Sequence, residues 1–163
     1  MKKLLFLLIA LSTMSLNAQN KGYVYKPSPS EYVSAKQLNL SKVSVQIEDV
    51  RILHPKTKVS CKFSDIQTAI IQSLNNAFKE TTFTTGKEDA TITIKLNKYE
   101  TFERGVVWIA ITEYEIQFNG SNTIINGTHS EGNIWGKATG KKILKKSFDK
   151  ANLDLINWLI NPT

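Results

Sequence analysis

The chain holds one cysteine, Cys61, among its 163 residues. An internal disulfide is excluded, and with it the small secreted folds that cystine bridges staple together. Burial is the expected state of a lone thiol, since free cysteine is among the most buried residue types. Histidine is almost as scarce: His54 and His129 are the only two. With Cys61 they make a conceivable ligand trio, but their spacings match no zinc pattern. No glycine-rich phosphate loop and no nucleophile elbow occurs. Apolar runs fall short of the roughly 20 residues that a membrane-spanning helix needs. Repeats and low-complexity segments are absent. Acidic residues are the minority, 14 against 21 lysines and arginines, for a formal charge of +7. That balance favours anionic partners and says nothing about fold.

The amino end reads as an address. Lys2 and Lys3 precede the apolar run 4–11, and a small, polar stretch leads to Ala18. This is the pattern of a cleavable secretory leader. Residues 1–18 are expected as a signal peptide, 19–40 as an extended arm and 41–163 as one domain. Removing the leader takes two lysines and lowers the formal charge to +5. What remains, about 145 residues, suffices for one well-packed core. The expected location is periplasmic or secreted. In the arm, Pro27 and Pro29 exclude helix and central strand, while Tyr23, Val24 and Tyr25 could dock on a sheet edge.

Alternation marks the strands. Val43, Val45 and Ile47 alternate with polar residues in a strand expected to run on to Ile52. Residues 54–58 read as a loop. Ser64-Asp65-Ile66-Gln67 has the form of a capping box, and Ile66, Ile70, Leu74 and Ala77 continue as an apolar stripe, so a helix is expected from Ser64 to about Lys79. A polar stretch with Thr81, Thr82 and Gly86 follows. A second strand covers Ala90 to Asn97, residues 99–104 read as irregular, and 106–118 form one long strand near the middle of an antiparallel sheet. Asn119-Gly120 is a hairpin signal. Its return strand, from Thr123 to about Trp135, is poor in apolar residues and holds Gly127 and Gly132, which predicts a bulged or edge strand. A helix from about Lys141 to Ile160 closes the chain, with Leu144, Phe148, Ala151, Leu155, Trp158 and Leu159 on its core face. Lys142, Lys146 and Lys150 form a ridge opposite, and Lys145 and Asp149 are placed as an i,i+4 pair.

The expected fold is therefore α+β, in the order β-α-β-β-β-α. An antiparallel or mixed sheet of about four strands carries two helices on one face. The first two strands are joined through a helix, so they are candidates for parallel neighbours.

The run from Val43 to Ile160 resembles small envelope proteins of Gram-negative bacteria. These include the YajG-type lipoproteins, the auxiliary lipoproteins of lipid-transport ABC systems and the lipopolysaccharide-assembly lipoprotein. The likeness rests on the strand and helix with Ile66, Ile70 and Leu74, on the strand pair Ala90–Leu96 and Trp108–Phe118, and on the closing helix with Phe148, Ala151 and Leu155. Those families are usually acylated at an N-terminal cysteine, and this chain has none there. The resemblance implies a non-enzymatic accessory or binding role and carries no functional residues across.

Candidate chemistry is sparse. Glu113 and Glu115 share a strand face about 7 Å apart, a pair of the kind glycosidases use, but on a solvated face with no cleft implied. His54 and Cys61 lack the third group that activates a thiolate. The residues singled out for contact are Lys142, Lys146 and Lys150, facing an anionic surface. Nucleic acid is not an expected partner, because interleaved aromatics are missing. No catalytic residue, cofactor or metal is expected. The expected function is an exported, non-enzymatic accessory or interaction protein of the bacterial envelope, with an envelope protein, anionic lipid or lipopolysaccharide as partner. The alternative is a periplasmic protein that binds lipid or another small ligand between sheet and helices.

Overall fold

The computed structural model describes residues 38, 40–78, 80–86, 91–133 and 139–162. The expected leader, most of the arm and Trp135 lie outside these residues. Among the described residues six strands and two helices follow one another. They are β1 (Lys42–Asp49), β2 (Thr57–Ser60), α1 (Phe63–Ala77), β3 (Thr82–Thr85), β4 (Ile92–Arg104), β5 (Val107–Phe118), β6 (Ser121–Gly132) and α2 (Gly140–Ile160). The sheet is mixed and has six strands, not about four, in the order β3-β1-β4-β5-β6, with β2 also on β4.

β1 pairs in parallel with β3 and with the first half of β4. The parallel neighbours expected from the helical crossover are therefore present. β2 pairs antiparallel with the second half of β4. β5 occupies the other side of β4 along its whole length, so β1 and β2 lie end to end on the same side. β5 and β6 form a hairpin closed by Asn119 and Gly120, at φ 50° and 79°. Both residues left-handed is the two-residue turn that matches strand twist.

Register explains which face is buried. Phe83, Val43, Val45, Ile92, Ile94, Ile116, Tyr114 and Ile125 fall on one face. All are buried, in one core with Ile70 and Leu74 of α1 and with Leu144, Phe148, Ala151, Leu155 and Leu159 of α2. The two helices thus cover the same face, as the single apolar stripe of each requires. Trp158 is only partly buried.

Several local expectations are corrected. β1 stops at Asp49 rather than Ile52, because Arg51 turns back to hydrogen-bond Asp49. The 54–58 loop gives way at Thr57 to β2, and the polar stretch after α1 holds β3. The stretch 99–104 is strand. A register shift between Leu96 and Lys98 resets the alternation, so Tyr99 and Thr101 take over as buried positions. β6 lies at the edge as expected, but its register against β5 runs without a bulge. Ser64 does not cap α1. The helix begins at Phe63 after Lys62, which makes no side-chain cap bond, and the Ser64 carbonyl accepts from the Thr68 hydroxyl at 2.8 Å. Ser64 therefore lies inside the first turn. α2 is the helix with a side-chain cap: Thr139 Oγ1 accepts from the Lys142 amide.

Gly127 sets the distance between α2 and the sheet. A Cβ there would stand 2.1 Å from the Ser147 carbonyl oxygen and 2.7 Å from the Ala151 nitrogen. The bare backbone lets the helix pass closely enough for Ser147 Oγ to meet Thr112 Oγ1 at 2.6 Å, both fully buried.

Candidate functional site

The groups singled out for chemistry do not converge. Register places Val59, Thr101, Ala110 and His129 side by side across β2, β4, β5 and β6. His129 is thus three strand spacings, about 14 Å, from the strand that leads into Cys61. Cys61 is buried, and the His54 ring stacks on Phe102 with centroids 4.4 Å apart. Among the described residues no group of three metal-ligating side chains gathers.

Glu113 and Glu115 stand on the sheet face away from the helices, and each has a lysine. Lys98 Nζ lies 2.9 Å from Glu113 and Lys95 Nζ 3.0 Å from Glu115. Asn126 also donates to Glu113, at 3.1 Å. The hydrogen bond that Lys95 donates to Glu115 raises the Lys95 pKa. This face is a solvated ladder of opposite charges, of the sort that aligns strands and contributes little each.

The basic ridge is partly answered within the fold. Glu131, on edge strand β6, takes both Lys142 and Lys146 at 3.3 Å. Those two hydrogen bonds hold the Glu131 carboxyl below its usual range. Lys150 is exposed, and Lys145 pairs with Asp149 at 2.8 Å as the i,i+4 spacing predicts.

The feature that sequence reading missed is the link between β1 and β2. The run Ile52-Leu53-His54-Pro55-Lys56 is exposed throughout. Ile52 is 89% exposed, with Val50 at 46% and Leu53 at 47%. Large apolar side chains held in water on a short loop call for an explanation, and the loop is not slack. The Arg51 guanidinium binds both Asp49 carboxylate oxygens, at 2.7 and 2.8 Å, and donates to the Cys61 carbonyl at 3.1 Å. It thereby clasps the end of β1 to the residue after β2. The hydrogen bonds from Arg51 lower the Asp49 pKa. On the other flank, Glu100 is 4% exposed, beside the register shift in β4. Its carboxylate accepts from the His54 amide at 2.7 Å and from the Thr57 hydroxyl. The loop is thus anchored on either side of Ile52 and Leu53, by the Arg51 side chain and the His54 amide, and these two side chains face out. The signal available in the sequence was charge: from Val50 to Ser64 there are four basic residues and no acidic one.

One interior group stands apart. Asn152 of α2 is fully buried, and among the described residues neither its Oδ1 nor its Nδ2 has a hydrogen-bond partner. Buried amides are nearly always paired.

The sequence matches no protein-family model and no curated protein. Solved structures of similar shape do exist. An uncharacterised protein shares 7% identity over 77% of this chain and 95% of its own, with a TM-score of 0.49. A Xanthomonas campestris protein of the family DUF330 shares 9% over 85% and 90%, with a TM-score of 0.48. A Helicobacter pylori protein, named for homology to a neuraminyllactose-binding hemagglutinin, shares 10% over 85% and 91%, with a TM-score of 0.47. Identities of this size lend no role to this chain. No helix among the described residues is long and apolar enough to cross a membrane.

Proposed function

We propose that this chain is an exported, non-enzymatic accessory protein of the bacterial envelope that acts by surface contact. The observation that carries the reading is the apolar loop of Ile52 and Leu53, held out by Arg51 on one side and Glu100 on the other. Two pinned flanks fix a contact residue in place before binding, which lowers the entropy that association costs. The leader pattern of residues 1–18 supports export. The carboxylates that chemistry would need are engaged with lysines or with the backbone. Lys142, Lys146 and Lys150 contribute long-range attraction to anionic surfaces, reduced by Glu131.

The test is fractionation of the native host followed by intact-mass measurement. The expected result is an envelope-fraction protein whose mass corresponds to loss of the residues up to about Ala18. A full-length chain confined to the cytosol would overturn the proposal.

A second reading, binding of a small polar-headed ligand between sheet and helices, is favoured by Asn152 alone. Under it, a molecule released on denaturation of native protein disappears in Asn152→Leu. If no such molecule accompanies the wild type, Asn152→Leu should stabilise the fold, because it removes an unpaired buried amide.

A further inference from the structure

We infer that the β1–β2 loop is a membrane-contact device, with Ile52 and Leu53 entering the headgroup region of an anionic phospholipid bilayer and Lys56 and Lys62 meeting its phosphates. The inference names the partner of the contact surface proposed above and rests on that reading.

Three observations favour lipid over a protein partner. The loop presents an apolar tip with a basic border. Ile52 and Leu53 are exposed, Lys56 is in the same exposed run, and Lys62 follows Cys61, whose carbonyl is held by Arg51. Among the described residues neither Lys56 nor Lys62 takes part in an ion pair, and Lys58 lies at a loose 3.8 Å from Glu103. No acidic residue falls between Asp49 and Asp65. Of the described carboxylates at the base of the loop, Asp49 is paired with Arg51, and Glu100 is buried and accepts from the His54 amide and the Thr57 hydroxyl. An anionic surface would therefore meet lysines and no carboxylate from this segment. A tip of two aliphatic side chains is also small for a stable protein interface, which needs a broad buried core. It does suit interfacial insertion, where burial depth is about 5–10 Å and basic residues supply the rest of the affinity. The ridge on α2 is the less favourable surface, since Glu131 sits between Lys142 and Lys146.

The experiment is co-sedimentation of the mature chain with phosphatidylglycerol-containing vesicles and with pure phosphatidylcholine vesicles, at low and high salt. Wild type should sediment with the anionic vesicles and lose binding as salt rises. Ile52→Ser with Leu53→Ser should weaken binding about tenfold or more, since an aliphatic side chain leaving water is worth that much. Lys56→Gln with Lys62→Gln should weaken it by about fivefold for each lysine. Changing Lys142, Lys146 and Lys150 to Gln should cost less than either. All the substituted side chains are exposed, so unchanged thermal unfolding of each variant checks that the fold is kept. Wild type remaining in solution with anionic vesicles at low salt would overturn the inference. So would undiminished binding by the Ile52, Leu53 double variant. Should vesicles fail while a stoichiometric protein, lost in that double variant, accompanies the chain from its native envelope, the lipid assignment falls and the contact role stands. A cytosolic full-length chain fails both.

Discussion

The backbone amide of His54 donates to the carboxylate of Glu100 at 2.7 Å, tying an exposed loop to a side chain that water hardly reaches. The Thr57 hydroxyl shares that carboxylate. Glu100→Ala removes both bonds. Bonds to a charged acceptor are worth about 1.5–3 kcal/mol, and a loss of that order is expected in urea melts. Glu100→Gln keeps an acceptor and should cost less. Amide exchange at His54 should rise in Glu100→Ala; unchanged exchange would mean that the loop is held by something else.

The Arg51–Asp49 clasp predicts a pH dependence. The hydrogen bonds from Arg51 hold the Asp49 carboxyl below its usual range. A lowered native pKa means that the clasp contributes in full above the ordinary aspartate value of about 3.9. The contribution fades as pH falls through the lower native value. Asp49→Asn should thus be less stable than wild type at neutral pH, by about 1 kcal/mol or less because the pair is partly solvated. The gap should stay level down to the aspartate range and close below it. A gap that widens in acid would contradict the pairing.

Gly127→Ala should be among the most damaging single-methyl additions in the chain. Its Cβ would meet the Ser147 carbonyl oxygen and the Ala151 nitrogen, both backbone atoms of α2 that no rotamer change can move. Overpacking of this kind costs about 1–3 kcal/mol. Gly132→Ala, which meets nothing within 4 Å, should leave the denaturation midpoint nearly unchanged.

The helix caps give a paired test. Thr139→Ala removes the hydroxyl that accepts from the Lys142 amide and should cost about 1 kcal/mol. Ser64→Ala should be nearly silent, because Ser64 lies inside α1 and not at its cap. Equal losses from both would return the capping role to Ser64.

The failed cap shows where the sequence was legible and where it was not. Periodicity located β1, α1, the first half of β4, β5 and α2, because each spans enough residues for a period to repeat. β2 and β3, at four residues each, do not. In β3 only Phe83 points inward, so Thr82, Thr84 and Thr85 read as polar linker. Past Leu96 the alternation of β4 changes phase, and a pattern that changes phase looks like no pattern. Gly127 was recognisable as unusual for a strand, but the reason lies in α2, and no local pattern reports a neighbour that comes later in the chain. The loop failed in a different way. Val50 and Ile52 read as apolar residues of a continuing strand, although out of phase with Val43, Val45 and Ile47, and only the fold shows that Arg51 ties back to Asp49 and leaves Ile52 in water. That Glu100 is buried could not be read, since isolated acidic residues are ordinarily solvated.

The position of β1 governs the order in which the domain can be assembled. It is the first of the described strands to leave a ribosome or a translocation channel, yet Lys42 waits for Thr82 and Ile47 waits for Ile94 before either has a strand partner. The β4–β5–β6 meander needs only its own neighbours and can close as soon as it is delivered. The earliest strand is therefore completed late, by insertion between β3 and β4, and pairing at such sequence separation is slow. Throughout that interval Val43, Val45 and Ile47 form an apolar strand with both edges vacant, the form in which one nascent chain recruits another. Yield of this domain should accordingly depend on dilution and on chaperones that hold extended segments apart, more than on the stability of the finished core.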